Sequence, residues 1–199
     1  MQKLHLHIDQ IINGTFSPKK LNLLLMFQVN CPGCFIHALP TFNELFQKLH
    51  NQLGFIALST AFEDYTLNAK ENTELLIKDG ELVGETKKYL LDQGIEKLPY
   101  KLPFPIGMDA FMEPYQKEGL IENICSLNPD YPTWASSDQN LLKKKVLIYL
   151  DNQQKTSLTF TANQFKGTST IVLFNDQNEL LHSWFGHQAI DEIIQTVER

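Results

Sequence analysis

Apolar positions along this chain fall into blocks with different spacings. Leu21 to Val29 is a short apolar run without alternation, which predicts a strand buried on both faces of a sheet. From Phe35 the pattern changes. Phe35, Leu39, Phe42, Phe46 and Leu49 recur at steps of four and three, so a helix with one apolar face is predicted to about Leu49. Gly54 to Ala61, "GFIALSTA", predicts a second buried strand, and a strand, helix and strand in succession favour a parallel pair. Two helical stretches follow, roughly Asn68 to Asp79 and Glu81 to Asp92, broken at Gly80. Then comes "LPFPIGMD", a short apolar segment bracketed by prolines.

Residues 110 to 166 are the least regular part, with helix-like pieces, the loop "SLNPDYPTWASSDQN", a basic Lys143 to Lys145 and an apolar "VLIYL". The end is clearer. "TSTIVLFND" and "ELLHSWFG" alternate around the turn "DQNE" and predict a hairpin, and a last helix carries Ala189, Ile190, Ile193, Ile194 and Val197 on one face. The order predicts an α/β fold, a sheet with helices on both faces that ends in an antiparallel hairpin. His5 and His7, on one face of a short extended start, are read as structural, and Trp184 and Phe185 as core.

Composition narrows the class. With 199 residues, 43% of them hydrophobic, the chain can bury a sizeable core, and a single domain over 1–199 with an insertion at about 110–166 is expected. The net charge of -6 and the lack of a long basic run set aside nucleic acid and anionic membrane surfaces as partners. "MQKLHLHIDQ" mixes charge and histidine where an export signal carries an apolar core, and Leu23 to Phe27 is too short to span a bilayer. The chain as given is therefore expected to be cytoplasmic, although one trimmed of such a signal would read the same way.

Candidate chemistry centres on two of the three cysteines, Cys31 and Cys34, in "LNLLLMFQVNCPGCFIHALPTF". The attacking species in disulfide exchange is a thiolate, and an ordinary cysteine is mostly protonated at neutral pH. The predicted strand-to-helix junction supplies unpaired backbone N–H groups and the positive end of the helix dipole, which lower the pKa of a sulfur placed there. Pro32 suits the first helical position, where no N–H is needed. Cys34, one turn along, is close enough to close a small disulfide ring or resolve a mixed disulfide. Cys31 is the expected nucleophile and Cys34 the resolving thiol. Three cysteines are too few for a disulfide scaffold.

These residues carry a resemblance. "LLLMFQVNCPGC", Pro40, "FIALSTAFED", "FPIGMD" and "GTSTIVLFNDQNELLHSWFG" together resemble the thioredoxin-like superfamily, in its redoxin or TlpA-type thiol-disulfide oxidoreductase branch, over most of 1–109 and 167–199. The resemblance implies a central mixed sheet flanked by helices, with the inserted segment before the C-terminal hairpin. It implies redox exchange through the Cys31–Cys34 pair with a protein or small-molecule disulfide or thiol, an electron donor not identified by the sequence, and no cofactor. It places Asn30, Pro32, Thr168 and Ser169 at substrate-docking positions. It sets Glu63 where a glutamate tunes the resolving thiol, a role that burial of the carboxylate would favour.

Three departures stand out. Asn30 replaces the usual aromatic before the first cysteine. Ser169 replaces the proline whose cis peptide bond faces the pair, and because a cis bond before a non-proline residue costs roughly 2.5–4 kcal/mol, a trans bond is expected there. The 110–166 segment exceeds the usual single-helix connection.

Two other functions compete. A peroxiredoxin-like peroxidase carries Pro-x-x-x-Thr-x-x-Cys, and aligning Cys34 with its reactive cysteine puts Phe27 and Cys31 at the proline and threonine positions, which argues against it. A redox-inactive or metal-holding binding module is the other. Cys31, Cys34 and His37 form a C-x-x-C-x-x-H series, but only Cys125 and scattered histidines could complete a closed zinc site, so no metal is expected. Cys125 is read as a lone thiol.

Overall fold

The computed structural model describes residues 2–198. Its centre is a six-stranded mixed sheet in the order β1-β4-β3-β2-β5-β6, formed by β1 Ile8–Asn13, β2 Leu21–Phe27, β3 Gly54–Ser59, β4 Ile106–Asp109, β5 Thr170–Asn175 and β6 Leu180–Phe185. The inner strands β2, β3 and β4 run parallel, while β1, β5 and β6 are antiparallel to their neighbours. The buried runs predicted at Leu21 and Gly54 thus lie at the middle of the sheet. Strand β1 follows no strong alternation and was not among the predicted strands; it pairs with β4 at one edge.

Because alternate residues of a strand face opposite ways, β2 serves two cores. Leu23, Leu25 and Phe27 join the cluster built with α1 (Leu39–Leu49) and α7 (Ile190–Val197), whereas Leu24 and Met26 join Ile56, Leu58, Val172 and Phe174 on the other face. The helix predicted from Phe35 begins as a π-helical turn, Cys34–Ala38, before becoming α1. The predicted pair after β3 is α2 (Lys70–Asp79) and α3 (Gly84–Leu91), and α2 ends at Gly80 with φ 70°, a left-handed cap that glycine adopts without a Cβ penalty.

Between β4 and β5 the chain forms α4 (Lys117–Ser126), α5 (Ser136–Asp151) and α6 (Leu158–Ala162), with a small core that includes Leu120, Cys125, Tyr131, Val146 and Leu150. Cys125 is a free, buried thiol there, and burial raises its pKa. His5 and His7 meet α6 through their backbones: His5 N–H donates to Asn163 Oδ1 at 2.9 Å and His7 N–H to Thr159 Oγ1 at 2.8 Å. Among the described residues no helix is long and apolar enough to cross a membrane.

The aromatic pair of β6 divides. Trp184 is 4% exposed, but Phe185 is 50% exposed, contrary to its expected place in the core. Strand β6 is at the sheet edge, and alternation turns one ring inward and the next outward.

The buried acid of this fold is Asp109, at the end of β4. Its carboxylate accepts the N–H groups of Thr159 and Phe160, in the first turn of α6, and the hydroxyl of Thr60. Burial outweighs these bonds and pushes its pKa up to about 6. The folded state therefore holds a proton that the unfolded chain has already released, so this group's contribution to stability falls as pH rises from about 4 to about 6 and is level above that. Asp109→Asn should abolish that portion of the slope in urea titrations of wild type and variant across this range.

Candidate functional site

The site begins where β2 ends. Gln28, Val29 and Asn30 lead from the strand to Cys31, and the helix starts at Pro32. That turn is held from the side by Asn30. Its backbone N–H donates to Asn68 Oδ1 (2.9 Å), its Nδ2 donates to Asp64 Oδ2 (2.8 Å), and its Oδ1 accepts from Glu85 N–H (2.8 Å). Because Glu85 lies in the first turn of α3, Asn30 caps that helix from a distance and fastens the cysteine turn to it. Gly84 allows this contact: its φ is 51°, and a Cβ there would stand 2.2 Å from Asn30 Oδ1. The polar atoms of Asn30, a residue expected at a docking position, are thus engaged within the protein.

Cys31 is half-buried and Cys34 is fully buried, and both are free thiols. The Cys34 backbone N–H donates to Cys31 Sγ at 3.3 Å and to the Cys31 carbonyl at 2.9 Å. The Cys34 thiol is the largest influence on Cys31, whose pKa falls to about 6; the Cys34 amide lowers it further, while burial and the charge of Glu63 oppose them. Cys34 goes the other way, because burial and the neighbouring Cys31 hold its pKa well above the ordinary thiol value. The expected origin in helix-start amides is present, but the second sulfur outranks it.

Facing the pair is the segment before β5. The Thr168 carbonyl lies 3.9 Å from Cys31 Sγ, and the Thr168 hydroxyl donates to Gln28 Oε1 at 2.9 Å. The Thr168–Ser169 peptide bond is cis, which corrects the expectation of a trans bond. The local preference competes here with tertiary hydrogen bonds on both sides, from Thr168 to Gln28 and from Gly186 N–H to the Ser169 carbonyl (2.9 Å), and a few such bonds are comparable to the preference. Ser169 itself is buried, and Pro32 is half-exposed at the helix start.

Glu63 is exposed in the turn after β3, four residues beyond the strand end at Ser59, so the burial that would favour a tuning role is absent at this position. The strand stops earlier than the predicted Ala61, and the chain turns outward before Glu63 is reached. His37 is exposed, with its ring against that of His187 at 4.4 Å between centroids. Among the described residues, no group of three or more His, Cys, Asp and Glu side chains is gathered as a metal site would require.

Three contributors were not predicted from the sequence. Asn68 and Asp64 act through the loop between β3 and α2, for which no local pattern exists. Gln28 did leave a signal: it is the one amide inside the apolar stretch "LLLMFQV", and it is 1% exposed.

No protein-family model matches the sequence, and no curated protein matches it. Solved structures do. A thiol-disulfide isomerase from Corynebacterium glutamicum is similar at a TM-score of 0.58 and 17% identity, over 98% of this chain and 92% of that one. A thioredoxin-like superfamily protein gives 0.56 and 17%, over 100% and 94%. A thioredoxin-like protein in its oxidised form gives 0.52 and 13%, over 100% and 92%. The α/β architecture, a mixed six-stranded sheet flanked by helices, is thus the thioredoxin-like fold.

Proposed function

We propose that this protein is a thiol-disulfide oxidoreductase in which Cys31 attacks and Cys34 resolves. The observation that carries the proposal is the asymmetry of the pair: Cys31 is half-buried and its Sγ receives the N–H of Cys34, which with the Cys34 thiol holds its pKa at about 6, while Cys34 is fully buried and its pKa is held well above the ordinary thiol value. The likeness to a protein described as a thiol-disulfide isomerase supports the same chemistry.

Exchange proceeds in two steps. The Cys31 thiolate attacks one sulfur of a substrate disulfide, forming a mixed disulfide and releasing the first substrate sulfur as a thiolate that takes up a proton. Cys34 then loses its proton and attacks Cys31 Sγ. The Cys31–Cys34 disulfide forms, the second substrate thiol leaves, and two electrons have passed to the substrate. A dithiol donor must return them for turnover. The substrate class is a disulfide with one sulfur accessible at the surface, since Cys31 is only half-buried while Cys34 is fully buried. Peroxide chemistry at Cys34 finds no support, because that sulfur is fully buried.

The test is a redox titration over pH. The reduced pair is expected to form an intramolecular disulfide, with a potential that falls by about 59 mV per pH unit below pH ~6 and by about 30 mV per unit above it, because one fewer proton accompanies two electrons once Cys31 is ionised. Against an unperturbed thiol, this ionisation stabilises the reduced form about tenfold at neutral pH and so raises the potential by about 30 mV. Failure of Cys31 and Cys34 to form a disulfide at any accessible potential would leave only the fold.

A further inference from the structure

Beneath the cysteine pair sits a polar group that the exchange steps above do not use. Gln28 is 1% exposed. Its Oε1 accepts the Thr168 hydroxyl, its backbone lowers the pKa of the Cys34 sulfur, and its Nε2 is buried with no hydrogen-bond partner among the described residues. An unpaired buried amide donor is uncommon and calls for a physical account.

Thr168 supplies it. A hydroxyl has one hydrogen to donate and two lone pairs. With that hydrogen given to Gln28 Oε1, the Thr168 oxygen can offer the sulfurs beside it only lone pairs, which suit a thiol and repel a thiolate. Turning the Gln28 amide over reverses the bond. Nε2 then donates to Thr168 Oγ1, and the hydroxyl hydrogen is free to point at sulfur. The terminal amide torsion is soft, and either orientation leaves one amide atom without a partner, so a charge on sulfur is enough to decide between them.

The need for such a donor arises in the resolving step. While Cys31 carries the charge, the N–H and S–H of Cys34 serve it. Once Cys31 is tied up in the mixed disulfide, the charge must form on Cys34, which is 0% exposed and whose charged form the Gln28 backbone and Thr168 favour. We propose that Gln28 is a positioning residue: its side-chain amide turns over as Cys34 ionises, so that Thr168 changes from an acceptor facing the thiol to a donor facing the thiolate. The proton from Cys34 passes to the first released substrate thiolate, and no further reactant is required. This inference rests on the exchange function proposed above.

The other titratable groups near the pair are few. Glu63 acts on Cys31 from the turn after β3, Asp64 is held by Asn30, and the Tyr100 hydroxyl reaches the Phe35 carbonyl at 3.5 Å from the loop before β4.

The experiment isolates the resolving step. Cys31 is loaded as a mixed disulfide with thionitrobenzoate, and attack by Cys34 is followed as release of the coloured thiol across pH. Gln28→Met, which fills the same space without polar atoms, should release the dye about tenfold more slowly at neutral pH, with the pH midpoint of release raised by about one unit, the shift that corresponds to a tenfold change in ionisation. Thr168→Val should do the same and Thr168→Ser should restore wild-type release. The double variant Gln28→Met with Thr168→Val should be no slower than Thr168→Val alone, because Gln28 acts through Thr168.

A Gln28→Met protein that unfolds at lower urea but keeps the wild-type pH midpoint would reduce Gln28 to a packing role and overturn the proposal. So would a further tenfold loss in the double variant. If the wild-type chain released no dye at any pH, the exchange function itself would fall, an outcome distinct from a wild type and Gln28→Met variant that release alike.

Discussion

Cys31→Ser is expected to reduce thiol-disulfide exchange to the uncatalysed background, whereas Cys34→Ser should keep the first attack and stall with substrate attached. The difference follows from the two environments. Cys31 is the more accessible member, and with its pKa at about 6 it is mostly thiolate at neutral pH, against about one part in a hundred for a thiol at the ordinary value of 9.0. Nucleophilicity per thiolate falls with pKa at a Brønsted slope of roughly 0.4–0.5, so three units cost about twentyfold of the roughly ninetyfold gain in thiolate. The net advantage in attack is only several-fold. The larger consequence of the low pKa is that Cys31 leaves well when a second substrate thiolate attacks the substrate sulfur of the mixed disulfide, which speeds release of the substrate by exchange. A gel under non-reducing conditions distinguishes the variants: Cys34→Ser should accumulate a dithiothreitol-sensitive adduct with a disulfide substrate and Cys31→Ser none. Adduct formation by Cys31→Ser at the wild-type rate would move the nucleophile elsewhere.

Phe42→Ala should destabilise the protein by about 3–5 kcal/mol, the usual cost of emptying a buried phenylalanine site. Phe42 is fully buried on α1 and meets Phe55 and Phe104 edge-on, with ring centroids 5.3 and 4.9 Å away. These three rings join the helix that follows the cysteine turn to β3 and to the segment before β4. A loss of that size is a large part of the roughly 5–15 kcal/mol that holds a domain folded, and for a chain of this length it lowers the melting midpoint by roughly 10 °C. Urea denaturation followed by tryptophan fluorescence would measure it. In the fraction that remains folded, the Cys31 thiolate absorbance should still titrate near 6, since Phe42 is not among the groups that shift either sulfur; a midpoint moved toward the ordinary thiol range would show that the aromatic cluster also sets the site's geometry.

The parts of this protein that could be read from the sequence are those whose cause is local. Unbroken apolar runs announced β2 and β3, a step of three and four announced α1, and the turn "DQNE" between alternating segments announced β5 and β6. Cys31 and Cys34 were legible because two residues between them on a helix start fix their separation. Strand β1 was not, because an edge strand needs no continuous apolar run, and the π-helical turn at Cys34–Ala38 has no signature in residue spacing.

Other features depended on partners far along the chain. Asn30 is a cap for α3 only because folding brings Glu85 to it across 55 positions, and Thr168 reaches Gln28 across 140. The exposure of Glu63 and Phe185 likewise reflects where a strand stops and which strand is outermost. The sequence alone therefore determined most of the order of elements from β2 onward and the cysteine pair, because periodicity and short spacing act within a few residues. The tertiary structure decided which sulfur is buried, which acid is buried and what Asn30 and Gln28 bond to, because hydrogen bonds and desolvation depend on neighbours that only the folded chain brings together.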